Sequence, residues 1–160
     1  MIKGVFIGLL SGMAGMVSAQ TPPKKTFYYK NRSALVIKEV ADAPVVEFET
    51  VKGKNLVFFY EWQSARNPQI ADGESTHKLY FEIPARTRNM TATGKEELGK
   101  YDTVRCRICF CVEGGCRKPS DGVLTVTRLK GKKYEVIYKD DPEDRDYFIQ
   151  EIFTTKQTVK

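Results

Sequence analysis

The sequence predicts an all-β protein: a single antiparallel β-sandwich, immunoglobulin-like or related, of about eight strands. Three observations carry this. Apolar residues recur at every second position along most of the chain, as in Leu56, Phe58, Tyr60 and Trp62 against Val57, Phe59 and Glu61. Turn-forming clusters interrupt these runs at spacings of roughly 8–14 residues. Only 93–100 (T-G-K-E-E-L-G-K) has helical composition, and it is long enough for one turn.

In chain order, the first nineteen residues read as a secretory signal peptide. Lys3 gives a positive start, 5–17 is apolar and small, and Val17-Ser18-Ala19 offers a cleavage site after Ala19. A run this short does not span a membrane, and no second apolar run approaches the ~18–20 residues a span needs. The protein is therefore expected to be secreted or periplasmic. Residues 20–26, with Pro22 and Pro23, read as a flexible leader, and 27–160 as one sandwich domain. Short strands are expected over Ala34–Val40 and Pro44–Val51, after which Val51-Lys52-Gly53-Lys54-Asn55 turns the chain into the Leu56 strand. Leu79, Phe81 and Ile83 alternate with Tyr80 and Glu82. Val123–Leu129 and Lys133–Lys139 flank Lys130-Gly131-Lys132, a hairpin connection with glycine where a positive φ is needed. Tyr147–Thr155 alternates again, and 64–76 and 84–99 read as long loops.

The net charge is +6. It is uneven along the chain: 100–139 carries ten Lys/Arg against four Asp/Glu, and 140–147 carries five acids against Arg145. Basic surface of this modest degree reads as a solvated face, and export argues against nucleic acid as a partner. The acidic run reads as a polar turn broken by Pro142 rather than as a calcium loop, since it lacks the loop's glycine and terminal glutamate spacing. No nucleophile elbow or zinc-protease motif is present, and the lone histidine, His77, reads as an exposed loop-end residue. No catalytic residue, cofactor or metal is expected.

The stretch from Arg105 to Cys116 (R-C-R-I-C-F-C-V-E-G-G-C) holds all four cysteines. Alternation puts Val104, Cys106, Ile108, Phe110 and Val112 on an apolar face, with Arg105, Arg107, Cys109 and Cys111 on the other. A turn at Glu113-Gly114-Gly115 then sets Cys111 opposite Cys116, the favoured pairing. Cys106 and Cys109 point to opposite faces and pair only across a bulge. Cys109–Cys116 with Cys106–Cys111 fails for the same reason in its second bond. The third option, Cys106–Cys116 with Cys109–Cys111, needs a bond between i and i+2 positions, whose Cα atoms lie roughly 6.5–7 Å apart in a strand.

Three readings follow. In the first, both disulfides are structural. In the second, Cys111–Cys116 is a disulfide and the others are free, with Arg105, Arg107 and Arg117 favouring a thiolate at Cys109 or Cys111. In the third, C-x2-C-x-C-x4-C wraps a metal; structural zinc usually draws on two separated knuckles, which argues against it.

The segment from Cys111 to Pro119, a hairpin cysteine pair followed by proline, resembles the immunoglobulin-like periplasmic domain of DsbD-type thiol–disulfide transporters over nine residues. That resemblance implies Cys111 and Cys116 as a reversible pair exchanging with a partner thiol. The leading expectation is an exported, non-catalytic binding or assembly module with a disulfide-stiffened hairpin and a protein or glycan partner. The alternative is a periplasmic thiol–disulfide exchange domain using Cys111 and Cys116.

Overall fold

The computed structural model describes residues 22–41, 43, 45–65, 74–109, 114–140 and 148–160. The expected signal peptide and the acidic run after Asp140 lie outside the described residues. The described chain is an all-β sandwich of two antiparallel sheets. Its elements are β1 (Lys24–Glu39), β2 (Val46–Gln63), β3 (Thr76–Ile83), β4 (Asn89–Thr93), α1 (Gly94–Gly99), β5 (Val104–Ile108), β6 (Gly115–Arg117), β7 (Val123–Leu129), β8 (Lys133–Lys139), β9 (Phe148–Phe153) and β10 (Thr158–Val159). One sheet has the order β10-β1-β2-β3-β5-β6, the other β4-β7-β8-β9.

The described residues form ten strands where about eight were expected. All of the expected 34–40 strand except Val40 belongs to β1, and the runs on either side of Gly53 are one strand, β2. Meanwhile β4, β6 and β10 are additional. Lys24–Thr26, placed above in the leader, pair with 61–63 as the start of β1. Within 84–99, read as a loop, lie β4 and α1.

The Lys52–Asn55 segment is a bulge and not a turn, because Ser33 registers with both Lys52 and Asn55. Glycine is required there: a Cβ on Gly53 would lie 2.7 Å from the Ser33 carbonyl. The bulge bends the far half of the β1–β2 hairpin back over the outer face of the large sheet. Phe48 meets the Tyr80 ring at 4.5 Å, the Leu35 amide donates to the Glu82 carboxylate, and Lys118 pairs with Glu39 at 2.8 Å.

Buried residues lie on both faces of the large sheet. The main core lies between the sheets, where the alternation of β2 and β3 turns Leu56, Phe58, Tyr60, Leu79, Phe81 and Ile83 toward Leu124, Val126, Val136, Tyr138, Ile149 and Phe153. Leu35, Val57, Val104 and Cys106 are buried but outside that core. Val57 registers with Glu82, and Val104 with Tyr80, on the outer side that the bent hairpin covers.

Burial has an ionisation consequence. It pushes the Tyr60 phenol up to about 12, with help from the Glu151 carboxylate. Tyr80 is likewise pushed up to about 12 by burial, then by Glu61 and Tyr28. Both values lie above the unfolded value of 10.0, so the stabilising contribution is complete below pH 10 and is lost as pH rises toward 12. The urea midpoint is expected to fall steeply across that window, and Tyr60→Phe to flatten part of the slope. A midpoint unchanged to pH 12 would mean that both phenols ionise freely in the folded state.

Candidate functional site

The cysteine hairpin lies at the edge of the large sheet. Here β5 pairs with β3, and β6 closes the sheet with β5 as its neighbour in the ladder. Cys106 is directly opposite Cys116, and the two form a disulfide across 10 residues of sequence. This corrects the expected Cys111–Cys116 pairing, and with it the exchange role built on that pair. The ladder fixes the reason. Lys78 registers with Cys106, and Arg107 with Gly115, so the strand pair closes five residues earlier than a turn at Glu113-Gly114 requires. Cys109 is also disulfide-bonded; Cys111 and Glu113 of the expected turn lie outside the described residues.

Gly115, expected in the turn, is the first residue of β6. It adopts φ 110°, and a Cβ there would meet Val45 Cγ1 at 2.9 Å. The glycine makes room for the tip of the bent hairpin above it, rather than turning the chain.

The alternation expected for 104–107 holds, but the two faces look elsewhere than a simple sandwich implies. Directly opposed residues in an antiparallel pair project to the same face. Cys106 therefore shares the outer face with Lys78 and Glu61, and its sulfur is buried under the hairpin layer at 1% exposure. Ile108, assigned to the same apolar face, is 52% exposed at the strand end. Arg105, Arg107 and Arg117 project to the inner side, so they do not share the face of the Cys106–Cys116 sulfurs. Arg105 is ion-paired with Asp140, which is 8% exposed and accepts from the Tyr138 hydroxyl at 3.1 Å. This pair neutralises one member of the Arg105–Arg117 cross-strand pair of like charges.

One transverse row of the large sheet reads Trp62, His77, Arg107, Gly115 across β2, β3, β5 and β6. His77 is thus a half-buried strand residue, not a loop end, with its ring 5.3 Å from that of Trp62. Sequence reasoning missed this row, because register across strands is what aligns residues 62, 77 and 107. The only local signal was the alternation that placed Trp62 on the core-facing side of its strand.

The Nε–H donors of Arg107 and Arg117 are buried and have no hydrogen-bond partner among the described residues. A buried donor on a charged group left unpaired is costly, and native chains keep few of them. The arrangement can accept an oxygen ligand at an edge that a covalent bond holds in register. Among the described residues, no three His, Cys, Asp or Glu side chains gather as a metal site.

No family model, curated protein or solved structure matches this chain.

Proposed function

We propose that the chain is a non-catalytic binding module of an oxidising, extracytoplasmic compartment. Its recognition face is the disulfide-braced edge that presents Trp62, His77, Arg107 and Arg117. The observation that carries this is the pair of buried, unpartnered guanidinium Nε–H donors on adjacent strands locked by Cys106–Cys116. Rigid donors set in advance lower the ordering cost of binding. An Arg fork selects planar oxygen acceptors, so the partner is a protein or glycan presenting carboxylates.

A disulfide supports the compartment, since such bonds persist where the environment is oxidising. No helix among the described residues is long and apolar enough to cross a membrane. Burial of Cys106 supports a structural bond rather than an exchanging one, because an attacking thiolate must reach a sulfur in line.

The test is nuclear magnetic resonance of 15N-labelled protein titrated with a glutamate-rich peptide and, separately, with an oligogalacturonate. Saturable shifts of the Arg107 and Arg117 Nε–H signals are expected with one of the probes. Arg107→Gln should weaken that binding by about 2 kcal/mol, the usual cost of truncating one side of a desolvated charged contact. Nε–H signals that stay unmoved by both probes at millimolar concentration would sink the assignment.

A further inference from the structure

Positive charge that is scattered in the sequence is gathered by the topology at the opposite end of the sandwich. Four segments, KNRS (30–33), KGKN (52–55), PARTR (84–88) and RLKGKK (128–133), contain ten Lys/Arg and no Asp or Glu. Strand register and backbone bonds bring them together. Ser33 registers with Lys52 and Asn55, and Leu56 with Ile83. The Arg128 amide donates to the Arg88 carbonyl at 2.6 Å, and the Tyr29 hydroxyl donates to the Lys132 carbonyl at 2.7 Å. Along β2, Leu56 and Trp62 are six residues apart, about 20 Å at strand spacing, so this end is remote from the cysteine edge.

Between these segments opens a cavity of about 470 Å³ whose lining includes Arg32, Lys54, Arg128 and Lys132, with Tyr29 and Tyr134 behind them. No carboxylate lines it, and none of the four cations is in an ion pair among the described residues. Like charges around one concavity repel each other and raise the local concentration of anions. Arg32 and Lys132 also hold positive φ, 52° and 58°, a region that residues bearing a Cβ adopt at a cost. Unfavourable charge and unfavourable backbone thus coincide at one pocket, which is where such features accompany binding. Among the described residues, the exposed large apolar ones, Val36, Ile108, Phe148, Ile152 and Val159, all lie outside the four segments, which offer no apolar wedge for membrane insertion.

We propose that this pocket binds a ligand bearing two or more adjacent phosphate groups. Guanidinium forks and ammonium point charges on facing walls match tetrahedral oxyanions, and several phosphates are needed to balance four cations. The cavity lies in the range of small-ligand sites, ~300–1,000 Å³. The proposal is independent of the reading of the cysteine edge, and its success or failure leaves that reading untouched.

The experiment is calorimetric titration of the protein with sodium tripolyphosphate and, separately, with inorganic monophosphate. In parallel, co-sedimentation is measured with vesicles of phosphatidylcholine and phosphatidylglycerol. Saturable 1:1 binding of tripolyphosphate is expected, at least about tenfold tighter than monophosphate, and weakened at least about tenfold by Arg128→Gln with Lys132→Gln. Removing the same charge at the remote pair, Lys95→Gln with Lys139→Gln, should change the affinity by less than about twofold.

Lys132→Gly keeps the backbone conformation and removes one cation. It should raise the melting temperature while weakening the binding, which separates a lost ligand contact from a damaged fold. Vesicle binding abolished by the pocket pair would assign the phosphates to a lipid headgroup, and tripolyphosphate binding without vesicle binding would assign them to a soluble ligand. No saturable tripolyphosphate binding at millimolar concentration, or equal losses from the remote and pocket pairs, would overturn the proposal.

Discussion

Phe58→Ala is expected to lower the free energy of unfolding by about 3–5 kcal/mol, a large share of the ~5–15 kcal/mol that holds a domain of this size. Phe58 has no exposed surface, and its ring is where the two sheets meet. It stacks on Phe81 at 4.6 Å and on Tyr29 at 5.3 Å, both in its own sheet. From the other sheet, Tyr134 meets it edge-on at 5.4 Å and Phe153 is tilted against it at 5.6 Å. Truncation leaves a void walled by four rings on strands with several ladder bonds each, so the site cannot collapse to fill it.

Phe59, one residue on, is half-buried on the outer face against Tyr28 and Tyr80, and the same substitution there should cost markedly less. Urea titration of the three proteins at neutral pH gives both numbers, provided that the m-values agree. A loss at Phe58 no larger than at Phe59 would mean that the intersheet rings are not the main source of cohesion.

The contrast between Phe58 and Phe59 was legible in the sequence, since alternation alone separates the two faces of a strand. The Lys130-Gly131-Lys132 hairpin was legible for a similarly local reason. It is a short connection between two alternating runs, and Gly131 takes φ 73° as the turn demands. Gly53 and Gly115 show where local inference stops. Each was read as part of a turn, yet each is small because another piece of backbone or side chain approaches it: Ser33 across the bulge, Val45 from the bent hairpin. A glycine looks the same in sequence whether it is needed for its φ or for its missing Cβ.

Charge followed the same pattern. Along the sequence 100–139 is basic, but the acid-free cluster of 30–33, 52–55, 84–88 and 128–133 exists only once β1, β2, β3 and β7 are in register. The row of Trp62, His77 and Arg107 was hidden for that reason too. Residues 45 positions apart fall in one row through two strand pairings that no local spacing encodes.

Replacing Cys106 and Cys116 together with alanine is expected to cost about 3 kcal/mol, the loop-closure term for a bond spanning 10 residues. The effect should be uneven across the molecule. At three residues, β6 makes its ladder with β5 alone, and a strand that short has little to hold it once the covalent link is gone. Cys106 is also buried on the outer face beneath the hairpin layer, so its loss loosens what Val45 and Lys118 hold down. Amide exchange at Gly115, Cys116 and Arg117 should therefore rise toward the unprotected rate, while β7 and β8 amides should follow only the global loss. The same variant should weaken any carboxylate ligand of Arg107 and Arg117, because two donors on strands free to separate must be ordered again on binding. Unchanged protection of β6 together with an unchanged urea midpoint would show that hydrogen bonds and hairpin packing suffice to fix this edge. A brace would then be no reason to keep the bond, and its reduction potential against a glutathione buffer would be the quantity to measure.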